Sequence, residues 1–245
     1  MKKAEESFLE IDGKKIPLKI YREWRRNVRV SMGKNSVILR MPSAMNISQQ
    51  MEQIAWCRTW VVNQLGKNDN LQNRYVPKNY STGDNLQVGS RTYLLNVSHS
   101  DNKTHSARLI NGEIYLSMNK EDEPAHLQKS MKLLISRIIG QDFHPAILRR
   151  VNELNRLYFQ KPVQNVRLKY NRSNWGSCSI KGNVNLSTRL LFAPEEVIDY
   201  VIIHELAHMI EMNHSSRFWK IVSDAMPDYK LKEEWLKKNG HLCDF

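Results

Sequence analysis

The sequence predicts an α+β protein in two parts, a β-rich N-terminal region with one helix (1–120) and a more helical region (121–245). Three observations carry this. Apolar and polar residues alternate with period two through much of the first part, as in strands with one wet face. From Pro124 the apolar spacing becomes helical. Near residue 200 an apolar run, YVIIHELAHMIEMNH (200–214), holds three histidines and a glutamate at fixed intervals.

From Ser7 to Pro42 the segments IPLKIYRE, NVRVSM and SVILRM alternate, with turn material at Asp12-Gly13 and Gly33-Lys34-Asn35, and predict a small antiparallel sheet. Ile47 to Leu65 has helical spacing (Met51, Ile54, Val61, Leu65) with Asn46 or Ser48 as its cap. Residues 66–85 are polar and turn-rich. LQVGSRTYLLNVSH and SARLINGEIYLSMN then read as strands, the second folded at an Asn111-Gly112 hairpin turn.

The stretch from Pro124 to Tyr158 predicts a helix broken or kinked at Pro145, where the ring removes an amide donor. Val166 to Leu191 alternates again around a turn at Lys181-Gly182-Asn183. Pro194-Glu195-Glu196 places a proline and two acids at the start of the histidine helix, where free amides and the positive end of the dipole favour them. Short helices at about 215–225 and 229–239 complete the series.

Hydrophobic residues are 41% and charged residues 25%, which excludes a disordered or fibrous chain. No apolar run reaches the roughly 18–20 residues that span a bilayer, and the start lacks the apolar centre of a signal peptide, so no membrane partner and a cytoplasmic location are expected. Cys57, Cys178 and Cys243 are odd in number and widely spaced, as in a reducing compartment. The formal charge of +12 favours polyanions, including nucleic acid, although a solvated basic surface gives the same total. Only YREWRRNVR (21–29) interleaves arginine with aromatics as a single-strand-binding surface would.

The histidine run carries the chemistry. His204 and His208 lie one helical turn apart on one face with Val197 and Val201, so both imidazoles can reach one ion in a shielded place. Glu205 stands beside them without being a ligand. This is the H-E-x-x-H arrangement, in which the glutamate is general base toward a metal-activated water. A hydrolytic zinc site needs a third protein ligand and one open position. A continued helix would carry His214 about 9 Å along the axis and turn it away. The helix must therefore stop first, and Asn213 tolerates the left-handed conformation that would turn the chain back. Glu211, Glu233 and Glu234 are the rivals, but His214 is the ligand expected.

The runs WGSCS (175–179) and DYVIIHELAHMIEMNHSSRFW (199–219) resemble the YgjP-like metallopeptidase family, related to the SprT and WLM zinc proteases. The resemblance implies a zincin-like catalytic domain behind a β-rich region, with zinc on His204, His208 and His214, a catalytic acid at Glu205, and a peptide or protein substrate. The ligand interval is also that of metzincins, but Glu211 stands where they place a glycine, and Met226 and Tyr229 read as a simple interhelix loop. WGSCS supplies either an edge strand for substrate or core packing, with Trp175 filling volume and Gly176 marking a bulge or close approach, and Cys178 is not expected among the ligands. The competing class is a basic nucleic-acid-associated protein with a structural metal, or a protease recruited to nucleic acid; structural sites usually close with four ligands, which favours catalysis.

Overall fold

The computed structural model describes residues 4–11, 14–33, 36–66 and 78–245, and the chain divides into two compact units, Met1–Pro77 and Lys78–Phe245. The first unit contains β1 (Glu5–Ile11), β2 (Lys14–Glu23), β3 (Arg29–Met32) and β4 (Val37–Pro42) in the order β1-β2-β4-β3, followed by α1 (Ile47–Gly66). The expected sheet is present, but it is mixed. β1 with β2 and β3 with β4 are antiparallel, whereas β2 and β4 run parallel. The inner residues of β4, Val37, Leu39 and Met41, are fully buried, and such a strand is best placed inside the sheet, leaving short β3 at the edge. Asn46 caps α1: its side chain accepts from the Gln49 amide while Gln49 accepts from the Asn46 amide. α1 then buries Cys57, Val61 and Leu65 against the inner face of the sheet. The turns expected at Asp12-Gly13 and Lys34-Asn35, and most of the polar segment after Gly66, lie outside the described residues.

The second unit opens with β5 (Asn85–Val88), β6 (Arg91–Ser100), β7 (Ser106–Ile110) and β8 (Glu113–Asn119), ordered β5-β6-β8-β7. The hairpin between β7 and β8 turns at Asn111 (φ 49°) and Gly112 (φ 81°), the paired left-handed conformations that an Asn-Gly type I′ turn requires. α2 (Pro124–Leu154) follows and passes through Pro145 without a break. Ile135, Ile139, Ile147 and Val151 are buried on both sides of the proline, and that packing outweighs the loss of one amide donor. A π-helical turn (Asn155–Phe159) and left-handed Gln160 end it.

A three-stranded sheet, β9 (Asn165–Lys169), β10 (Gly176–Cys178) and β11 (Asn183–Ser187), is ordered β10-β11-β9, so β10 is an edge. The alternation expected to reach Leu191 gives way to a 3₁₀ turn over Thr188–Phe192. Next come α3 (Glu195–Ala207), α4 (Ser216–Ala225) and α5 (Tyr229–Asn239). Val88, Leu95, Ile114 and Leu116 share one core with Ile139, Val184, Ile203 and Phe218. The β5–β8 sheet therefore belongs with the helices, and the division at Pro77 falls earlier than the compositional change at residue 121. Among the described residues no helix is long and apolar enough to cross a membrane.

Candidate metal centre

α3 is apolar nearly all round, burying Val197, Tyr200, Val201, Ile202, Ile203 and Leu206, and is pinned to α2 by a bidentate pair from Arg150 to Asp199 (2.8 and 2.6 Å). Its helical hydrogen bonding stops at Ala207. The amides of Met209 and Ile210 turn onto Leu206 and Ala207 as tighter i→i−3 bonds, and the chain folds back to α4, whose N-cap Ser215 accepts from the Phe218 amide. Asn213 does not take the left-handed conformation expected of it: among the described non-glycine residues only Asn111 and Gln160 have positive φ. The reversal is instead made of successive tight turns, including a bond from the Ser215 amide to the Asn213 carbonyl (2.7 Å).

That reversal brings His204, His208 and His214 together, with ligand-capable atoms all within 4.8 Å of one another. The ring centroids are 5.1, 5.0 and 4.8 Å apart, and Nε2 of His204 and His214 are separated by 3.0 Å. Two imidazole nitrogens held tetrahedrally at about 2.0–2.1 Å from one zinc stand about 3.3 Å apart, so this spacing suits a shared ion. The His208 Nδ1–H donates to the Glu211 carbonyl (3.1 Å), which leaves the Nε2 lone pair free to face an ion. His204 Nδ1 is buried and unpartnered. Burial, reinforced by His208 and His214, lowers the His204 pKa to about 4, and burial likewise lowers that of His208, so neutral imidazoles are favoured. Three convergent imidazole nitrogens fit a borderline divalent ion such as zinc.

An aromatic shell that sequence reasoning missed surrounds the rings. Fully buried Phe218 meets all three at 4.5–4.9 Å, and Trp219 lies 5.8 Å from His204 and His214. Tyr229 stacks on Trp219 and Tyr200, and Tyr200 meets His204 edge-on. The readable signal was Phe218-Trp219 one turn after His214, directly behind a serine cap.

Glu205 is 5% exposed, and desolvation alone drives its pKa up to about 8; a divalent cation nearby would pull it back down. Gly176 of β10 accounts for part of WGSCS. A Cβ there would stand 2.5 Å from Glu205 Oε1 and 2.7 Å from its Cγ, so only glycine lets the carboxylate lie against this strand. Trp175 sits under the Arg189 guanidinium (4.5 Å). Burial and the charge of Glu205 push the Cys178 thiol to about 11, keeping it protonated. Arg189 donates to the carbonyls of Arg172, Gly240 and Cys243, and Tyr170 donates to Asp244, so neither is available to a substrate oxyanion. Glu211 receives the Asn213 amide and Glu233 pairs with Lys237; neither they nor Glu234 joins the histidine group.

A second group, His105, Asp122 and His126, is also compact. Here the Asn119 amide donates to His105 Nδ1, which puts the ring proton on Nε2, aimed at Asp122 (2.7 Å). This is a hydrogen-bonded staple, with the His105 lone pair already used.

A family model described as YgjP-like, metallopeptidase domain, matches residues 26–239. A curated relative, UTP pyrophosphatase of Escherichia coli strain K12, is 23% identical over 99 residues, covering 38% of this chain and 59% of its own length. The chain thus spans less than two thirds of that relative. Among solved structures, the metallopeptidase zymogen of Pyrococcus abyssi abylysin is 26% identical, covering 38% of this chain and 93% of its own, with a TM-score of 0.35. That of Methanocaldococcus jannaschii jannalysin is 24% identical, covering 36% and 93%, with a TM-score of 0.31. With residues 26–239 of 245 matched, the protein belongs to the YgjP-like metallopeptidase-domain family.

Proposed function

We propose that the protein is a zinc-dependent peptidase in which His204, His208 and His214 hold the metal and Glu205 is the general base. The convergence of three imidazoles at the end of the helix that buries Glu205 carries this reading. Zinc held there would supply a Lewis acid that brings the pKa of a water molecule to about 7. The Glu205 carboxylate takes the proton from the attacking water and returns it to the departing amine, so one group serves as base and then acid. Gly176 keeps that carboxylate in place. β10 has one edge paired to β11 and, among the described residues, no strand on the other, where an extended peptide would add as a further strand. Phe218 and Trp219 exclude water from the rings and hold their orientation.

The test combines metal analysis with a peptide-library digest. Glu205→Gln is expected to keep one zinc per chain and lose a factor on the order of 10²–10⁴ in cleavage, and His204→Ala to lose the metal. Cleavage by the glutamine variant at the parental rate would sink the assignment. The curated relative's name favours a second reading, hydrolysis of UTP or a similar nucleotide at the same centre. Incubation with UTP alongside the peptides separates the two: pyrophosphate release without peptide cleavage selects the second.

A further inference from the structure

The basic charge is concentrated in the first unit, where residues 1–77 hold 14 lysines and arginines against seven acids. Its sheet has two unlike faces. The inner face packs against α1; the outer face of β2, β4 and β3 carries Tyr21, Arg40 and Arg29 in register, Tyr21 opposite Arg40 and Arg40 opposite Arg29. The Arg40 guanidinium lies over the Tyr21 ring at 4.5 Å. Two arginines directly opposite each other repel, and a fold that keeps them without a function loses stability. Glu23 is the acid that answers this row. It pairs with both Arg40 and Arg25, and Arg26 and Arg29 have no ion-pair partner among the described residues.

At the end of β2 stands Trp24, 96% exposed. An indole left in water two residues before Arg26, which has no ion-pair partner among the described residues, and next to a sheet row that already stacks a guanidinium on a phenol, presents both elements that single strands need: π-faces for bases and cations for phosphates. The alternative, insertion into an anionic membrane surface, calls for apolar neighbours around the tryptophan. Those neighbours are Arg25, Arg26 and Asn27.

We infer that the outer face of the N-terminal sheet, with Trp24 as stacking platform and Arg26 and Arg29 as phosphate contacts, binds single-stranded nucleic acid. This goes beyond the hydrolytic reading and does not depend on it. Fluorescence anisotropy of the full chain with labelled oligo(dT) and oligo(U) of about 12 nucleotides, within the usual footprint of single-strand binders, tests it at about 50 mM salt. Single strands should bind more tightly than a duplex of equal length. Trp24→Ala should weaken binding roughly 5- to 100-fold, the range of one lost stacking contact. Arg26→Ser with Arg29→Ser should reduce the slope of log affinity against log salt by about 1.4, or 0.7 per phosphate contact. Peptide cleavage by these variants should match the parent. No binding of either oligonucleotide, binding that Trp24→Ala leaves unchanged, equal affinity for duplex, or stronger retention on phosphatidylserine vesicles than on oligonucleotide would each overturn the inference.

Discussion

Glu205 and His204 are neighbours whose burial acts with opposite sign on stability. In chelated protein the folded pKa of Glu205 is about 8 against an ordinary 4.5, so between these values the folded state retains a proton that the unfolded state has released. Its contribution is present below about pH 4.5 and is lost as pH rises toward 8. His204, depressed from 6.5 to about 4, favours the fold above 6.5 and ceases to as pH falls toward 4. Glu205→Gln should therefore stabilise the chelated protein increasingly from pH 4.5 to 8, by at most about 1.4 kcal/mol per pH unit. Thermal melts of both proteins across that range check this, and a constant difference would mean that the carboxyl is not buried. Gly176→Ala is the complementary probe: its Cβ would displace the carboxylate at a cost of about 1–3 kcal/mol, with zinc content expected to hold and peptide turnover to collapse. Residue identity announced the histidines and Glu205. Gly176 was readable as a bulge or close approach, but not that Glu205 is what approaches it, because a contact between strand and helix leaves no spacing in the chain.

Among elements, α4 supports the site as much as α3 does. Phe218→Ala would open a cavity under all three imidazoles; a loss of about 3–5 kcal/mol and faster release of zinc to a competing chelator are expected, measured by denaturant titration and by stopped-flow metal transfer. Arg150→Ala leaves Asp199 unpaired between α2 and α3, and because Arg150 is 39% exposed the loss should be nearer 1–2 kcal/mol than the value of a fully buried pair. α1, α3, α4, α5 and the Asn111-Gly112 hairpin were legible because each has its period or its cap written locally. The parallel pairing of β2 with β4 and the uninterrupted course of α2 through Pro145 were not, since both follow from burial against segments distant in sequence. For the turn before His214 the outcome was readable and the means was not: two histidines on one turn, read as a candidate metal pair, called for the third to return, and several backbone routes satisfy that demand.

For the molecule as a whole, two cores predict two unfolding events. Zinc held as proposed by the histidines of one core would stabilise that core alone, by RT ln(1 + [Zn]/Kd), so chelation should lower one calorimetric transition, that of Lys78–Phe245, and leave the other in place. A single transition that moves as one would show the two cores to be coupled. The boundary itself was masked in composition, because the β5–β8 sheet alternates like the strands before it and yet shares its core with the helices after it. The Arg189 side chain has a practical corollary. It ties carbonyls at 240 and 243 to the tryptophan that precedes Gly176, and Cys243 and Phe245 are themselves buried, so proteolytic trimming of the final residues is expected to loosen β10 and, on the proposed peptidase reading, to lower turnover. Intact mass is thus the first quality control for any inactive batch.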